Sequence, residues 1–279
     1  MSEGAFAVTV MVETQSGDTL LAPTGLSTPH ALSEGCTVTG GAVHETRETS
    51  AGQWALVIVA TGGKVELRYD YVPGSADYPD QIWAPRDTRF TRAADALVAE
   101  ARAIAPDAPP DERACDIACA VAGKFTYGHP DRRFYEGADM IPALGCGLTE
   151  GSCVDINAYF MASLRASGIE AGYVTGVFFP AEKGDRCDDM HCWVVTRAGG
   201  ITQAWDIAHH LKLGTRDIRP ALNPKPGFRV ALAHSMGLDF PELGLTEVKL
   251  LSEPLIVRDG QAYPVNAAIR LHRTEAAAE

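Results

Sequence analysis

The sequence predicts an α+β fold, because strand-like and helix-like segments occupy separate parts of the chain. Residues 1–85 contain strand-like runs, and residues 91–125 contain two helical patterns. A third helical pattern begins at Cys153 and is followed by further strand-like runs. We therefore expect an N-terminal β-rich domain over residues 1–85, and a core domain with C-terminal strands over residues 86–279.

The expected N-terminal strands are rich in valine and threonine and are separated by glycine, serine and aspartate. They read AFAVTVMVE, CTVTGGAVHE, WALVIVATGG and KVELRYDYV. Alternation of apolar and polar residues is typical of strands that are buried on one face. The pattern therefore predicts an antiparallel β region.

Apolar residues then recur at spacings of three and four in TRAADALVAEARAIA and PPDERACDIACAVAGKF. This predicts two successive helices, the first beginning at about Thr91 and the second after a pair of prolines. The stretch from Thr126 to Glu150 is irregular and rich in glycine, which is typical of a loop over a site. A helix from Cys153 to about Ser167 follows. The next expected strands are AGYVTGVFF, HCWVV, QAWDIA, FRVALAH and VKLLSEPLIV.

Charge and cysteine usage exclude several classes of function. The chain has 24 basic and 36 acidic residues, a net charge of −12, which argues against nucleic acid or an anionic membrane as the main partner. Glu3 stands where a signal peptide would need positive charge, so no targeting segment is expected. The seven scattered cysteines do not resemble a disulfide framework. We therefore expect a cytoplasmic protein.

Cys153 is the first candidate functional residue. A thiol at a helix N-terminus is activated because unpaired N–H groups and the helix dipole favour the thiolate. Ser152 is a suitable N-cap, and Asp155 can complete a capping box. The alternative is an inert buried thiol, since free cysteines are often buried.

His191 and Asp206 supply the other two groups that a cysteine nucleophile needs. DDMHCWVV places His191 at the start of one strand, and QAWDIA places Asp206 at the end of the next. In an antiparallel pair these positions are neighbours, so both side chains can face the helix that carries Cys153. His209 and His210 could compete as the base, but their spacing predicts loop residues beyond the strand end.

Together, GSCVDINAYFMASLRASGIEAGYVTGVFF, DDMHCWVV and AWDIA resemble the transglutaminase-like cysteine superfamily. Its pattern is a Gly-x-Cys at a helix start, a Gly-Ile turn, a histidine before an apolar strand and an aromatic-Asp pair. The pattern is also similar to arylamine N-acetyltransferases, which share the core. The resemblance implies a papain-like or transglutaminase-like core, with the cysteine helix packed on an antiparallel sheet and Cys153, His191 and Asp206 as the catalytic triad.

The resemblance also implies a mechanism through a thioester, without a cofactor. Cys153 would attack an amide or peptide carbonyl, and His191, oriented by Asp206, would protonate the leaving amine. Tyr127 or a backbone N–H near Gly147 is the candidate second oxyanion donor. Tyr127 and Trp205 are the candidate substrate-binding residues, although a packing role is the favoured interpretation of Trp205.

The resemblance to bacterial proteins of this layout favours a hydrolase over a cross-linking enzyme. The expected activity is that of a protease or amidase, and the expected substrate is a peptide, a protein or a small amide. The alternatives are a protein-glutamine transglutaminase, an N-acyltransferase and a non-catalytic binding module. No Asp-rich calcium loop is visible, and Thr-Glu-Gly-Ser rather than Arg-Gly-Gly precedes the cysteine. A homo-oligomer is left open.

A metal site is not expected. Cys187, His191 and Cys192 lack the spacing of a zinc knuckle, and neighbouring residues on a strand point to opposite faces. Asp188 and Asp189 are expected to be solvated, or to form an acidic rim beside His191 that would favour cationic substrates.

Overall fold

The computed structural model describes residues 4–188 and 190–273, and strands dominate its N-terminal part. Six strands precede the first helix: β1 (Phe6–Thr14), β2 (Thr19–Pro23), β3 (Leu32–Thr39), β4 (Gly41–Arg47), β5 (Trp54–Ala60) and β6 (Gly63–Val72). All pairings among them are antiparallel. In β1, Val8, Val10 and Val12 are buried because alternate side chains point to one face. The predicted antiparallel β region is confirmed.

The middle of the chain forms a helix-covered sheet. Its elements are α1 (Asp95–Ala103), α2 (Pro110–Lys124), β7 (Phe125–Tyr127), β8 (Thr149–Gly151), α3 (Cys153–Ala166), β9 (Glu170–Pro180), β10 (Arg186–Cys187), β11 (Met190–Ala198), β12 (Ile201–Trp205), α4 (Ile207–Lys212) and β13 (Gly227–His234). The antiparallel sheet has the order β12-β11-β9-β13, and α3 packs on β9 and β11. The predicted α+β core, with Cys153 at a helix start, is confirmed.

The last strands return to the N-terminal sheets. They are β14 (Leu238–Phe240), β15 (Leu245–Val248), β16 (Leu255–Arg258), β17 (Gln261–Pro264) and β18 (Ala267–Arg273). Two five-stranded sheets result, with the orders β10-β18-β1-β6-β3 and β17-β16-β2-β5-β4. The first strand lies in the middle of its sheet, with Phe6 opposite Arg273. The division into domains near residue 85 stays a prediction.

Strand β9, which lies beneath α3, is covered by other residues on both of its faces. Ala171 and Tyr173 pack with the residues of α3, whereas Val174, on the other face of the strand, packs with Ile82 and Trp193. A strand that is covered on both sides is apolar without alternation, as the run AGYVTGVFF is.

The single strand expected over CTVTGGAVHE is wrong. The segment divides at Gly40 into β3 and β4, which belong to different sheets. Gly40 has φ +87°, and a Cβ there would lie 2.0 Å from the carbonyl oxygen of Lys64. Only glycine accepts this backbone conformation beside another chain segment.

The helix start expected at Thr91 is also wrong, because α1 begins four residues later. The backbone of Arg92 and Ala94 forms hydrogen bonds with Ile141 instead, at 2.7 and 2.9 Å. The loop between β7 and β8 therefore holds residues 92–94 in an extended conformation through these backbone hydrogen bonds. None of the helices that the structure describes is long and apolar enough to cross a lipid bilayer.

Candidate active site

The site is built around the first turn of α3. Ser152 is the N-cap residue, and its backbone N–H and hydroxyl donate to Asp155 Oδ2 at 2.9 and 2.7 Å. Arg133 Nη1 and the Tyr135 hydroxyl donate to Asp155 Oδ1 at 3.1 and 2.8 Å. These bonds fix the start of the helix, and Cys153 occupies its first position with 8% of its surface exposed.

The sheet brings His191 and Asp206 to this helix start. His191 lies one residue inside β11, and Asp206 directly follows β12, which pairs with β11. His191 Nε2 lies 2.8 Å from Asp206 Oδ2, and both side chains are buried. Because Nε2 is bound to the carboxylate, Nδ1 is left for the thiol of Cys153, with which His191 also forms a hydrogen bond. The structure thus brings together the three residues that the sequence singled out.

The electrostatics favour a thiolate paired with an imidazolium. A hydrogen bond from Cys192, opposed by burial and supported by His191, holds the pKa of the Cys153 thiol well below its usual value. Burial alone would lower the pKa of His191, but the charge and hydrogen bond of Asp206, together with Cys153, raise it to about 9. Between the lowered pKa of the thiol and a pH of about 9, the pair therefore carries one negative and one positive charge.

Cys192 forms a hydrogen bond with Cys153 that the sequence did not predict. Its side chain packs in the cluster that contains the residues of α3. The Tyr173 hydroxyl donates to Cys192 Sγ at 2.9 Å, and Asn157 Nδ2 donates to the Cys192 carbonyl oxygen at 2.9 Å. Burial raises the pKa of Cys192 well above its usual value, so it remains a thiol that donates to Cys153.

The expectation that His209 and His210 are loop residues is wrong. Both lie in α4 and are buried, and the helix is capped by Asp206, whose Oδ1 accepts from the His209 N–H at 3.2 Å. His209 Nδ1 lies 3.0 Å from Asp206 Oδ2 and 3.0 Å from Asn223 Oδ1. His210 Nδ1 donates to the Asp206 carbonyl oxygen at 2.8 Å. Aspartate is a preferred N-cap residue, so Asp206 itself was a helix-start signal that could have indicated this helix.

Arg229 on β13 is a further contact that sequence reasoning missed. Its Nη1 lies 3.5 Å from Asp206 Oδ2, and its guanidinium carbon lies 5.0 Å from the ring centroid of Trp193. Burial would raise the pKa of Asp206, but the charges and hydrogen bonds of His191 and His209 hold it well below its usual value. Asp206 is therefore an anion that supports both imidazoles.

The same groups offer ligand atoms of the kind that metals bind. One ligand atom each from His191, Asp206 and His209 lies within 4.8 Å of the others. In the present geometry both imidazoles direct a nitrogen at one carboxylate oxygen, so the three side chains satisfy one another. Cys187 packs instead with the cluster that contains β1 and β6.

A cleft of about 280 Å³ gives access to the thiol. Its lining includes Tyr127, Cys153, His191 and His209, so the candidate substrate-binding residue Tyr127 lines the same cleft as Cys153. Trp205 does not line the cleft. Its side chain is fully buried, its Nε1 donates to Thr196 Oγ1 at 2.8 Å and its ring packs against Phe160. The substrate-binding role predicted for Trp205 is therefore wrong, and its packing role is observed.

Comparison with known proteins agrees with this architecture. Residues 95–200 match the family model of the transglutaminase-like superfamily. A candidate cysteine protease from Cytophaga hutchinsonii has a similar structure, with a TM-score of 0.53 and 12% identity over 98% of this chain and 99% of that chain. The periplasmic domain of TgpA from Pseudomonas aeruginosa, bound to ethylmercury, matches with a TM-score of 0.40 and 12% identity over 77% and 92%. No curated protein sequence matches the chain.

The matched segment includes both Cys153 and His191, and the structural likeness to the Cytophaga protein extends over nearly the whole of both chains. The family expected from the three sequence motifs is therefore confirmed. The match over residues 95–200 supports the transglutaminase-like superfamily for the part of the chain that carries Cys153 and His191.

Proposed function

We propose that this protein is a cysteine-dependent hydrolase, a protease or amidase that acts on an amide or peptide carbonyl through a thioester. The superfamily supports a cysteine-dependent enzyme, and the hydrolytic step is our proposal. The observation that carries it is Cys153 at the first position of α3, hydrogen-bonded to an imidazole that Asp206 holds at 2.8 Å.

In the first half of the reaction the Cys153 thiolate attacks the carbonyl carbon. The C–N bond of the tetrahedral intermediate breaks, and His191 transfers its proton to the departing amine. The products are a free amine, a thioester on Cys153 and a neutral His191. Asp206 keeps the imidazole in place throughout because its carboxylate binds Nε2.

In the second half neutral His191 takes a proton from water, and the hydroxide attacks the thioester carbonyl. The C–S bond breaks, the carboxylic acid leaves, and the thiolate and imidazolium are restored. The backbone N–H of Cys153 at the helix start is a suitable oxyanion donor, since it has no partner within the helix. We propose the Tyr127 hydroxyl as the second donor, because Tyr127 lines the cleft beside Cys153.

We also propose a peptide, a protein or a small amide as substrate, and the cytoplasm as the site of action. All seven cysteines are free thiols, which fits a reducing compartment. Nucleic acid and membrane are unfavourable partners for a chain with a net charge of −12.

The first test is the pH dependence of iodoacetamide alkylation, with the labelled peptide mapped. We expect rapid labelling of Cys153 well below the free-thiol pKa of about 8.5. This rapid labelling should be absent in Cys153→Ala, and labelling of Cys153 should be slow in His191→Ala. Cys146→Ala is the matched control, because Cys146 is an exposed thiol outside the cleft lining. Slow and equal labelling of all thiols would contradict the proposal. Hydrolysis is separated from transfer by measuring whether an added primary amine is incorporated into the product.

A further inference from the structure

Cationic side chains line the cleft beside Cys153, although the whole chain has a net charge of −12. Four of the lining residues are lysine or arginine: Arg133, Lys183, Lys212 and Lys225. Only two described lining residues are acidic, Asp188 and Glu253. The charge of the cleft is thus opposite to that of the molecule.

Two of these four cations are neutralised by carboxylates at the rim. Lys183 forms an ion pair with Asp188, and Lys225 Nζ lies 3.1 Å from Glu182 Oε1. Asp188 therefore does not provide the acidic rim that the sequence suggested, and Asp189 lies outside the described residues. The expectation that the rim favours cationic substrates is not supported by the placement of Asp188.

Arg133 differs because its partner is buried. Its Nη1 binds Asp155 at 3.1 Å, and the carboxylate of Asp155 is 2% exposed while the Arg133 side chain is 44% exposed. Asp155 also accepts both hydrogen bonds from Ser152. The guanidinium is thus anchored at the start of α3 by Asp155 and the Tyr135 hydroxyl, and the exposed part of the Arg133 side chain lines the cleft.

Lys212, in the last turn of α4, has no carboxylate within ion-pair distance among the described residues. Its Nζ lies 5.1 Å from the ring centroid of Tyr127, which lines the same cleft. The ring orients the ammonium group without cancelling its charge. Lys212 is therefore a cation available to a bound molecule, and Arg133, although paired with Asp155, presents an exposed side chain to the same cleft.

We propose that the substrate carries a carboxylate close to the scissile carbonyl, as a peptide or amide of glutamate or aspartate does, and that Arg133 and Lys212 bind it. This inference rests on the proposed function, since it names the substrate class of the same site. A carboxylate in the cleft would accept hydrogen bonds from the exposed guanidinium of Arg133 and compensate the ammonium charge of Lys212. A cationic substrate would be repelled by both groups.

The test uses two probes that differ by a single charge, the chloroacetyl derivatives of glutamate amide and of glutamine amide. In each case the Cys153 thiolate forms a C–S bond to the methylene carbon, and chloride leaves with the electrons of the C–Cl bond. The rate of labelling is measured at low salt by intact mass and peptide mapping. The rate ratio is the rate with the glutamate probe divided by the rate with the glutamine probe. We expect this ratio to be about tenfold higher for the protein than for glutathione.

Matched variants assign the preference to residues. In Lys212→Gln and in Arg133→Gln the rate ratio should fall about threefold to fivefold, and in Arg133→Lys it should be largely kept. Lys64→Gln is the control, because Lys64 is an exposed lysine of β6 that pairs with Glu13. About 0.5 M salt should reduce the ratio, since exposed charges are screened. His191 is present in every variant, so its own charge cannot account for the differences.

The outcomes separate this inference from the proposed function. Rapid, His191-dependent labelling by both probes at equal rates would overturn the carboxylate preference and leave the hydrolase proposal intact. A preference that persists unchanged in Lys212→Gln and Arg133→Gln would overturn the assignment to these residues. Labelling no faster than that of glutathione would overturn the proposed function and, with it, the inference.

Discussion

The imidazole of His209 lies parallel to that of His191, with ring centroids 4.1 Å apart and 5° between the ring planes. Both rings direct a nitrogen at Asp206 Oδ2, at 2.8 Å from His191 and 3.0 Å from His209. One carboxylate oxygen and one stacking contact therefore hold His191 in orientation. His209 is in turn held by Asn223 and by the ring of Phe178, 4.5 Å away.

Removal of the second ring tests this arrangement. We expect His209→Ala to lower kcat/KM by about 10-fold to 100-fold, because a small misplacement of a reacting group is costly. His209→Phe keeps the stacking surface and should retain more activity. The measurement is kcat/KM together with the pH profile of Cys153 alkylation. Equal losses in both variants would indicate that the hydrogen bond to Asp206, rather than the stacking, is the important contact.

The hydrogen bond from Cys192 predicts a shift in thiol reactivity. In Cys192→Ala the thiolate of Cys153 loses a donor, so the midpoint of its alkylation profile should rise by about one pH unit, as expected for one hydrogen bond. Cys187→Ala is the control, because Cys187 is equally buried but packs in another cluster. An unchanged midpoint in Cys192→Ala would exclude this contribution.

Asp206→Asn removes the charge that keeps His191 protonated. Burial then dominates, and the pKa of His191 should fall from about 9 to below its ordinary value of about 6.5. In the proposed mechanism Asp206 orients His191, so we expect kcat/KM to fall about a thousandfold or more. Alkylation at pH 6 should slow at the same time. Activity within tenfold of the unmodified protein would show that Asp206 is dispensable.

The raised pKa of His191 also fixes a pH window. Acyl transfer needs the imidazolium as proton donor, so kcat/KM should fall as pH rises through about 9. His191 is more readily protonated in the folded than in the unfolded chain. Its contribution to stability is therefore fully present below about pH 6.5 and is lost as pH rises through the folded value. Urea unfolding at pH 6, 8 and 10 measures this, and His191→Ala should lack this part of the pH dependence.

A buried ion pair outside the site should control stability. Arg86 Nη2 lies 3.3 Å from Glu48 Oε1, and the two side chains are 5% and 0% exposed. Glu48 also accepts from the backbone N–H groups of Ser50 and Asp239, at 2.9 Å each. Arg86→Ala leaves the carboxylate buried and unpaired, which should cost about 3–5 kcal/mol of the free energy of unfolding.

The control for that prediction is an exposed pair on β6. Arg68 Nη2 lies 2.9 Å from Asp70 Oδ1, with side chains 46% and 36% exposed. Arg68→Ala should cost less than about 1 kcal/mol, because solvent screens the pair. Similar losses in both variants would show that the burial of Glu48 does not increase the contribution of its ion pair to the free energy of unfolding.

The sequence predicted the parts of the site that depend on local pattern. The N-cap at Ser152 with Asp155, the order of the strands that carry His191 and Asp206, and the family could all be inferred from short motifs. A few neighbouring residues specify each of these features, which explains why the sequence alone was sufficient to predict them.

The parts that were missed depend on contacts between distant segments. Arg229 reaches Asp206 from β13, and Tyr173 reaches Cys192 from the neighbouring strand β9. The late start of α1 follows from backbone bonds to Ile141, and the exclusion of Trp205 from the cleft follows from packing against Phe160. Periodicity in one stretch of sequence contains no information about such partners.

The central position of β1 in its sheet has a consequence for synthesis of the protein. Val10 pairs with Leu67 on one side and with Ile269 on the other, so one edge of β1 has no partner until the last described strand has left the ribosome. An unpaired apolar strand edge is prone to aggregation, and folding that depends on such non-local contacts is slow. Val177 of β9, the strand beneath α3, packs in the same cluster as β1. We therefore expect the nascent chain to need protection by chaperones, and its thiol to become reactive only after β18 has been synthesised and has paired with β1.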